Sequence, residues 1–285
     1  MKSRLLINLL LALLVVTLGL VAWLKPGQVS GKAARITSLD MAAINTIRIE
    51  RKDASFIELQ REESHWLLTQ PIKAPALTGK VERLLKISQI EPPVSYTLDS
   101  SSLNQFGLKP PTVQLSFNQQ TLNIGSTESV HSRRYVSKNE QLFLLDDTFL
   151  HHLTAPINAY IDTRLLPDNI QITHLQTPQT SLQINDDNTW QNLNTPTDEL
   201  SSDSVQMLLD EWRFARAMNV STQTHEPADG MIIISFKQHQ KMHFNLIKQK
   251  DNIILISQET KLAYTFSSVK YKKMTTLPKL EDSNA

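Results

Sequence analysis

The stretch that decides the fold is residues 66–90, which read WLLTQPIKAPALTGKVERLLKISQI. Its first residues read as a half-buried strand, and two prolines then break that pattern. From residue 77 onward the apolar side chains recur at the three- and four-residue spacing of one helix face. We therefore predict a tryptophan strand, a proline loop and an amphipathic helix over residues 77–90, with a core formed by Trp66, Val81, Leu84 and Leu85.

The same pattern returns in the second half of the chain. A tryptophan is followed by Pro196 and by a second amphipathic helix, for which Ser202 is the predicted N-cap and Asp203 an acidic residue of the first turn. The matching core residues are predicted to be Trp190, Val205, Leu208 and Leu209. Because all the repeated side chains are apolar, we interpret the repeat as a packing unit and not as a catalytic device.

Alternating apolar and polar residues predict strands around both helices. The segments 44–50, 56–60 and 65–69 read as an antiparallel meander, and Ile47 and Ile49 of the first segment are matched with Ile170 and Ile172 of the second half. The shared pattern extends over more than 100 residues, whereas solenoid repeats recur every ~20–50 residues. We predict an α+β fold: a tandem duplication of a mostly antiparallel sheet unit with one main helix per copy, preceded by a single N-terminal transmembrane helix.

The N-terminal segment 5–24 contains 20 residues without a charge. A helix of this length spans roughly 30 Å, the thickness of the hydrocarbon core of a bilayer. The run is longer than the ~7–15 residues of a signal-peptide core, and no strong cleavage site follows it. We predict an uncleaved anchor in the bacterial inner membrane, with the C-terminal body in the periplasm.

These predictions divide the chain into six parts. In order, they are a cytoplasmic tail (1–4), the transmembrane anchor (5–24), a linker (25–35), the first α+β repeat (36–163), the second α+β repeat (164–278) and a C-terminal tail (279–285).

Composition and charge exclude several classes of function. The chain has no cysteine, so disulfides, thiolate nucleophiles and cysteine metal sites are absent. Five of the 29 basic residues lie within residues 1–35, which hold no acidic residue, so the remainder carries 24 basic against 28 acidic residues. A mildly acidic body argues against a nucleic-acid partner, which needs a clustered positive field. P-loop, dinucleotide-binding and G-x-S-x-G motifs are also missing.

Several short motifs occur in a recognisable order. They are W-x-L-x-x-P before a V-x-x-L-L helix, F-G-L-K-P-P at 106–111, I-G at 124–125 and R-Y-V at 134–136. Together with the apolar N-terminus they resemble the uncharacterised bacterial family DUF4340, from about Ile47 to Leu153 and less closely through the second copy. Members of that family often accompany ABC-type export or gliding-motility-like transport components. The resemblance therefore implies an auxiliary role in the cell envelope, and it implies no catalytic residues.

One candidate for metal binding is the H-x-x-x-H pair formed by His239 and His243. On a helix this spacing would place two ligands on one face, but the glutamate of H-E-x-x-H is replaced by Gln240. The alternative is an exposed polar hairpin.

A second candidate group is Asp146, Asp147, His151 and His152. This spacing would allow metal chelation or acid/base catalysis, and the alternative is a pair of helix-capping acids followed by solvated histidines. We predict no catalytic residue, no metal site and no cofactor.

Three functions remain open after these exclusions. The first is a non-enzymatic, membrane-anchored periplasmic protein that binds partner proteins of an ABC-type transport complex. The second is an envelope hydrolase that uses His151, His152 and Asp146 or Asp147. The third is a ligand-binding module that uses the cleft between the two repeats.

Overall fold

The structure is a computed structural model that describes residues 10–20, 35–197, 200–222, 227–237 and 240–278. From residue 35 onward these residues form two antiparallel sheets and a few helices, so the predicted α+β class is confirmed. The helices are α1 (Thr78–Ser88), α2 (Leu150–Leu153), α3 (Ser202–Arg213) and α4 (Ser268–Thr275), with 3-10 turns at Met41–Ala43, Ser100–Phe106 and Ile157–Tyr160.

The first sheet has nine strands. In chain order they are β1 (Thr46–Arg51), β2 (Ile57–Glu62), β3 (His65–Gln70), β4 (Ala74–Pro75), β5 (Ser95–Thr97), β6 (Val113–Phe117), β7 (Gln120–Thr127), β8 (Arg133–Lys138) and β9 (Gln141–Asp146). Their spatial order is β4-β3-β2-β1-β6-β7-β8-β9-β5. The chain after α1 therefore returns to the far edge of the sheet as β5.

The second sheet has eight strands. They are β10 (Ile172–Gln176), β11 (Ser181–Ile184), β12 (Trp190–Asn192), β13 (Asn219–Thr222), β14 (Gly230–Phe236), β15 (Lys241–Lys248), β16 (Asn252–Ser257) and β17 (Leu262–Ser267). Their spatial order is β12-β11-β10-β14-β15-β16-β17-β13. Apart from the added β4, this order corresponds strand for strand to that of the first sheet, which is a repeat-like arrangement.

The two main helices pack their apolar stripes into one continuous core. Val81, Leu84 and Leu85 of α1 are buried, and so are Val205, Leu208 and Leu209 of α3. Burying each such side chain contributes roughly 1.5–3 kcal/mol. Helix α1 is shorter than the predicted 77–90 because the backbone beyond it pairs elsewhere: Ile36 N–H donates to the carbonyl of Ile90 at 2.8 Å.

The N-cap of α3 lies one residue before the predicted position. Ser201, and not Ser202, is the N-cap, and its side chain accepts a hydrogen bond from the backbone N–H of Ser204. Helix α4 was not predicted, because its short sequence mixes lysines with few apolar residues. It contributes Met274 to the core and packs beside α3.

The structure pairs the strands of the two halves differently from the predicted match of Ile170 and Ile172 with Ile47 and Ile49. The correspondence is shifted by two residues at Ile172. Ile47 lies opposite Phe117, and Ile172 lies opposite Phe236, so Ile172 corresponds to Ile47 and not to Ile49. A bulge between Ile172 and His174 shifts the following residues and places Leu175 where the first sheet has Ile49.

The two tryptophans also occupy positions that are two residues apart in the registers of the two sheets. Trp66 pairs with Arg61 on β2, whereas Trp190 pairs with Ile184 on β11. The counterpart of Ile184 in the first sheet is Leu59, which pairs with Leu68. Trp190 therefore takes the place of Leu68, two residues along the same face, and both indoles are half-buried against the core.

The segment between the halves, residues 160–165, hydrogen bonds to both of them, and we call it the connector. On one side it pairs with the segment before α1, through Leu77 N–H to Tyr160 O (2.8 Å) and Asp162 N–H to Pro75 O (2.9 Å). On the other side Leu165 N–H donates to Ala215 O (3.0 Å) and Ala217 N–H to Thr163 O (2.8 Å). The buried carboxylate of Asp162 forms ion pairs with Arg164 and Arg216. The connector thus fills the boundary between the two sheets.

The structure describes only part of the predicted anchor. Residues 10–20 are helical, and the rest of segment 5–24 lies outside the described residues, as do the tails 1–4 and 279–285 and linker residues 25–34. Within the described part of the chain, no helix has both the length and the apolar character needed to cross a bilayer.

Candidate functional site

The carboxylates and histidines of the second candidate group have different partners. Asp146 pairs with Arg133 at 3.4 Å, and Asp147 pairs with Arg134 at 2.6 Å. The imidazoles of His151 and His152 lie against each other in α2, with ring centroids 3.8 Å apart. The alternative prediction that Asp146 and Asp147 cap the following helix is wrong. The N-cap of α2 is Phe149, and no side chain caps this helix.

The other histidine candidate is a surface hydrogen-bonding group. His239 lies outside the described residues, and His243 lies on β15, where its backbone N–H and its Nδ1 each lie 3.0 Å from the Glu259 carboxylate. Ser257 donates a further hydrogen bond to that carboxylate at 3.0 Å. Across the described ranges, no three His, Cys, Asp or Glu side chains are grouped as metal ligands would be.

Three of the motifs that carried the family resemblance, F-G-L-K-P-P, I-G and R-Y-V, meet in one place. Gly125 of the I-G pair passes so close to the F-G-L-K-P-P turn that a Cβ there would lie 2.2 Å from the carbonyl oxygen of Phe106. Gly107 of the same turn has a left-handed φ of 65° and lies against Ser126. The Phe106 ring packs on Tyr135 of R-Y-V, with centroids 4.8 Å apart. These motif residues specify a chain crossing between β7 and the turn before β6.

Arg134 of the R-Y-V motif is the polar centre of this crossing. Its guanidinium donates to Gly125 O at 2.7 Å, to Thr127 Oγ1 at 2.8 Å and to Asp147 at 2.6 Å. Because its side chain is buried, the carboxylate and the two oxygens replace the water that the charge loses. The geometry therefore assigns Arg134 and Asp147 to holding the crossing together.

A cluster of basic side chains surrounds a buried tyrosine beside the connector. We call it the Tyr160 cluster, and it consists of Tyr160, Arg51, Lys80, Arg83, His151 and His152. The Lys80 ammonium lies over the Tyr160 ring, 4.7 Å from its centroid, and the Tyr160 hydroxyl donates to the carbonyl of His152 at 2.5 Å. Arg51 approaches from β1 and donates to the carbonyl of Ala155 at 2.8 Å.

Burial and like charges shift the titration of this cluster. Burial lowers the pKa of Lys80, and the neighbouring Arg83 charge lowers it further. The pKa of His152 is lowered to about 4, first by loss of solvent and then by the charges of His151, Lys80 and Arg83. Burial raises the pKa of Tyr160 to about 12, against the smaller opposing effect of Arg51. Burial is thus the main cause of all three shifts, and neighbouring positive charges add to it for Lys80 and His152.

Sequence reasoning found only the histidines of this cluster. Lys80 was missed although it shares a helix face with the buried residues Leu84 and Ile87, at the i+4 and i+7 positions. A lysine on an apolar helix face is the signal that would have identified it. The contributions of Arg51 and Tyr160 depend on tertiary packing and leave no local pattern.

A surface groove lies where the chain enters the first sheet. One open cavity of about 650 Å³ is lined by residues 35, 37–41, 89 and 91, and an adjoining cavity of about 250 Å³ by Met41, Ala42, Arg61, Glu82, Leu85 and Lys86. The half-exposed side chain of Met41 belongs to both cavities, so we call the surface the Met41 groove. Its lining mixes apolar residues, such as Met41 and Leu85, with polar and charged ones, and protein-binding surfaces also contain both kinds.

The comparisons with known proteins give a family and no closer relative. The family model described as "Domain of unknown function (DUF4340)" matches residues 66–229, which extend from the first tryptophan strand to the start of β14. No curated protein and no solved structure matches the chain. The matched segment contains α1, α3, the connector and the motif crossing, and the chain belongs to the DUF4340 family.

Proposed function

We propose that this protein is a non-enzymatic, membrane-anchored accessory protein of the bacterial envelope that binds partner proteins of an ABC-type transport complex. In this proposal residues 5–24 span the inner membrane and the two-sheet body lies in the periplasm. We also propose that the two halves arose by tandem duplication of one sheet unit, which their shared strand order supports.

The observation that carries the proposal is the position of the Met41 groove. Residue 35, on its lining, is the last residue of the predicted linker 25–35. Ten extended residues reach at most about 35 Å, so a spanning anchor would hold this groove close to the membrane surface. A membrane-embedded transport subunit that exposes short periplasmic loops is the partner within reach of such a surface.

The arrangement of the titratable residues favours a binding role over the hydrolase alternative. Asp146 and Asp147 are paired with arginines of β8, and His243 is paired with Glu259. A general base must lie within hydrogen-bond reach of its partner, and neither carboxylate is placed in that way towards His151 or His152. The third alternative, a ligand cleft between the repeats, is disfavoured because the connector hydrogen bonds occupy that boundary.

Site-specific photo-cross-linking in intact cells tests the proposal. We expect p-benzoylphenylalanine in place of Met41 to form a cross-link to a membrane subunit of a transport complex, identified by mass spectrometry. The matched control carries the same group in place of Val130, which is 75% exposed at the far end of β7. Strand β7 begins beside Ser38 of the groove and runs for eight residues, roughly 25 Å, before it reaches that end.

The proposal requires the cross-link to depend on position. A transport subunit captured from Met41 and not from Val130 would support it. Equal capture from both positions, or cross-links to lipid alone, would count against the Met41 groove as a partner surface.

A further inference from the structure

The two main helices begin differently, although they occupy corresponding places in the two halves. Helix α3 is capped by the Ser201 side chain and has Asp203 in its first turn. Helix α1 has Leu77 at the N-cap position, with no side-chain cap, and no acidic residue in its first turn. The positive end of the α1 dipole thus has no negative group of its own to stabilise it.

Basic side chains gather at this uncapped end. The Arg83 guanidinium folds back to donate to the carbonyl of Gly79 at 3.0 Å, beside Lys80 in the first turn. His151 and His152 lie against each other in α2, which packs on α1. Arg83 and His151 are exposed, so the Tyr160 cluster opens to solvent on that side.

Lys80 is the most informative member of this group. The residue is only 6% exposed, and in the described part of the chain no carboxylate or carbonyl oxygen accepts a hydrogen bond from its ammonium. Its ammonium lies over the face of the Tyr160 ring. Nearby, the Nε of Arg51 is also buried and has no acceptor among the described residues. A charged side chain that is this deeply buried usually has a partner of opposite charge, and no carboxylate among the described residues provides one for Lys80.

We propose that the Tyr160 cluster binds a phosphate group at the N-terminus of α1, with Lys80 and Arg83 as its cations and the imidazoles of His151 and His152 as further hydrogen-bond donors. A phosphate carries up to two negative charges and several acceptor oxygens, whereas a carboxylate carries one charge and two oxygens. Two cations, two imidazoles and a helix N-terminus therefore suit a phosphate better. This inference is independent of the proposed partner at the Met41 groove.

The low pKa of His152 provides a direct readout of binding. Without an anion, the positive charges of His151, Lys80 and Arg83 oppose its protonation. A bound phosphate would offset that repulsion and favour the charged imidazole, so its pKa should rise from about 4. The Tyr160 phenol, with its pKa raised to about 12, stays neutral throughout this range.

The experiment titrates the full-length chain in detergent with inorganic phosphate, and imidazole NMR with histidine-selective labels follows His152. We expect saturable binding and an increase of at least about one unit in the His152 pKa. The variant Lys80→Met keeps the length of the buried stem without its charge and should weaken phosphate binding about tenfold or more. Lys86→Gln removes one exposed charge from the same helix and should bind phosphate as the unmodified protein does.

Arg83→Gln provides a second variant if Lys80→Met does not fold, because Arg83 is exposed. We expect it to weaken phosphate binding about threefold to tenfold. A His152 pKa that responds to phosphate no more than to chloride at equal ionic strength would overturn the inference. Equal weakening by Lys80→Met and Lys86→Gln would also overturn it, because that result indicates a general effect of charge.

The phosphate can come from a soluble phosphate ester or from a lipid headgroup, and membrane mimics distinguish the two sources. If the source is a lipid, the His152 pKa should rise in bicelles that contain phosphatidic acid, without added phosphate. If the source is soluble, the pKa should rise only when inorganic phosphate is added. Either response supports the site, and no response in both media contradicts it.

Discussion

Replacement of Gly125 by alanine is expected to destabilise the protein by about 3 kcal/mol or more. An added Cβ would lie 2.2 Å from the Phe106 carbonyl oxygen. It would also lie 3.1 Å from Cδ2 and 3.2 Å from Cγ of Leu108. The first neighbour is backbone, so the chain crossing itself would have to move. That movement would disturb the three hydrogen bonds of Arg134, one of which ends on the Gly125 carbonyl. The measurement is the free energy of unfolding from urea denaturation of the full-length chain in mild detergent.

The matched control for this substitution is Gly79→Ala. A Cβ at Gly79 would meet only the Arg83 guanidinium, at an ordinary contact distance of 3.7 Å. Alanine also favours a helix over glycine, so this variant should be as stable as the unmodified protein or up to about 1 kcal/mol more stable. Equal stability of the Gly125→Ala and Gly79→Ala variants would show that the crossing is not as close as the structure indicates.

Replacement of Trp212 by alanine is expected to cost about 3–5 kcal/mol. The indole of Trp212 is fully buried between α3 and the residues of α4, and its Nε1–H donates to the carbonyl of Met274 at 2.5 Å. The substitution would open a large cavity and leave that carbonyl without its donor. The loss should appear in urea denaturation as a lower midpoint of unfolding.

Trp190→Ala separates the effect of burial from that of losing any tryptophan. Trp190 is only half-buried and lies on the edge strand β12, so its loss should cost less than half as much. If Trp190→Ala were as damaging as Trp212→Ala, the assignment of Trp212 to the centre of the second core would be wrong.

The sequence predicted the fold class because helix and strand periods are local signals. Val81, Leu84 and Leu85 read as one helix face, and Val205, Leu208 and Leu209 repeat it. The register across strands is not a local signal, which is why the match of Ile170 and Ile172 with Ile47 and Ile49 was off by two residues. The bulge after Ile172 adds a further shift and interrupts the alternation, because Ile172 and Leu175 are both buried although they lie three residues apart.

The site was less predictable than the fold. Asp147 was considered as a partner for nearby histidines, but it pairs with Arg134 across the β8–β9 hairpin. The histidines are close to Asp147 in sequence, which is why they were the predicted partners. In the structure, the pairing of β8 with β9 brings Arg134 to Asp147 instead. The Tyr160 cluster draws Arg51, Lys80 and His152 from three elements that are far apart in sequence. Such a cluster becomes visible only when the connector brings those elements together.

The most direct test of the central claim is the location of the body, because every part of the proposed function requires it to lie outside the cytoplasmic membrane. Two reporters can be fused separately after Ala285 of the full-length chain: a phosphatase that is active only in the periplasm, and a fluorescent protein that matures only in the cytoplasm. We predict phosphatase activity without fluorescence, in the membrane fraction. Fluorescence without phosphatase activity would place the body in the cytoplasm and contradict the proposal.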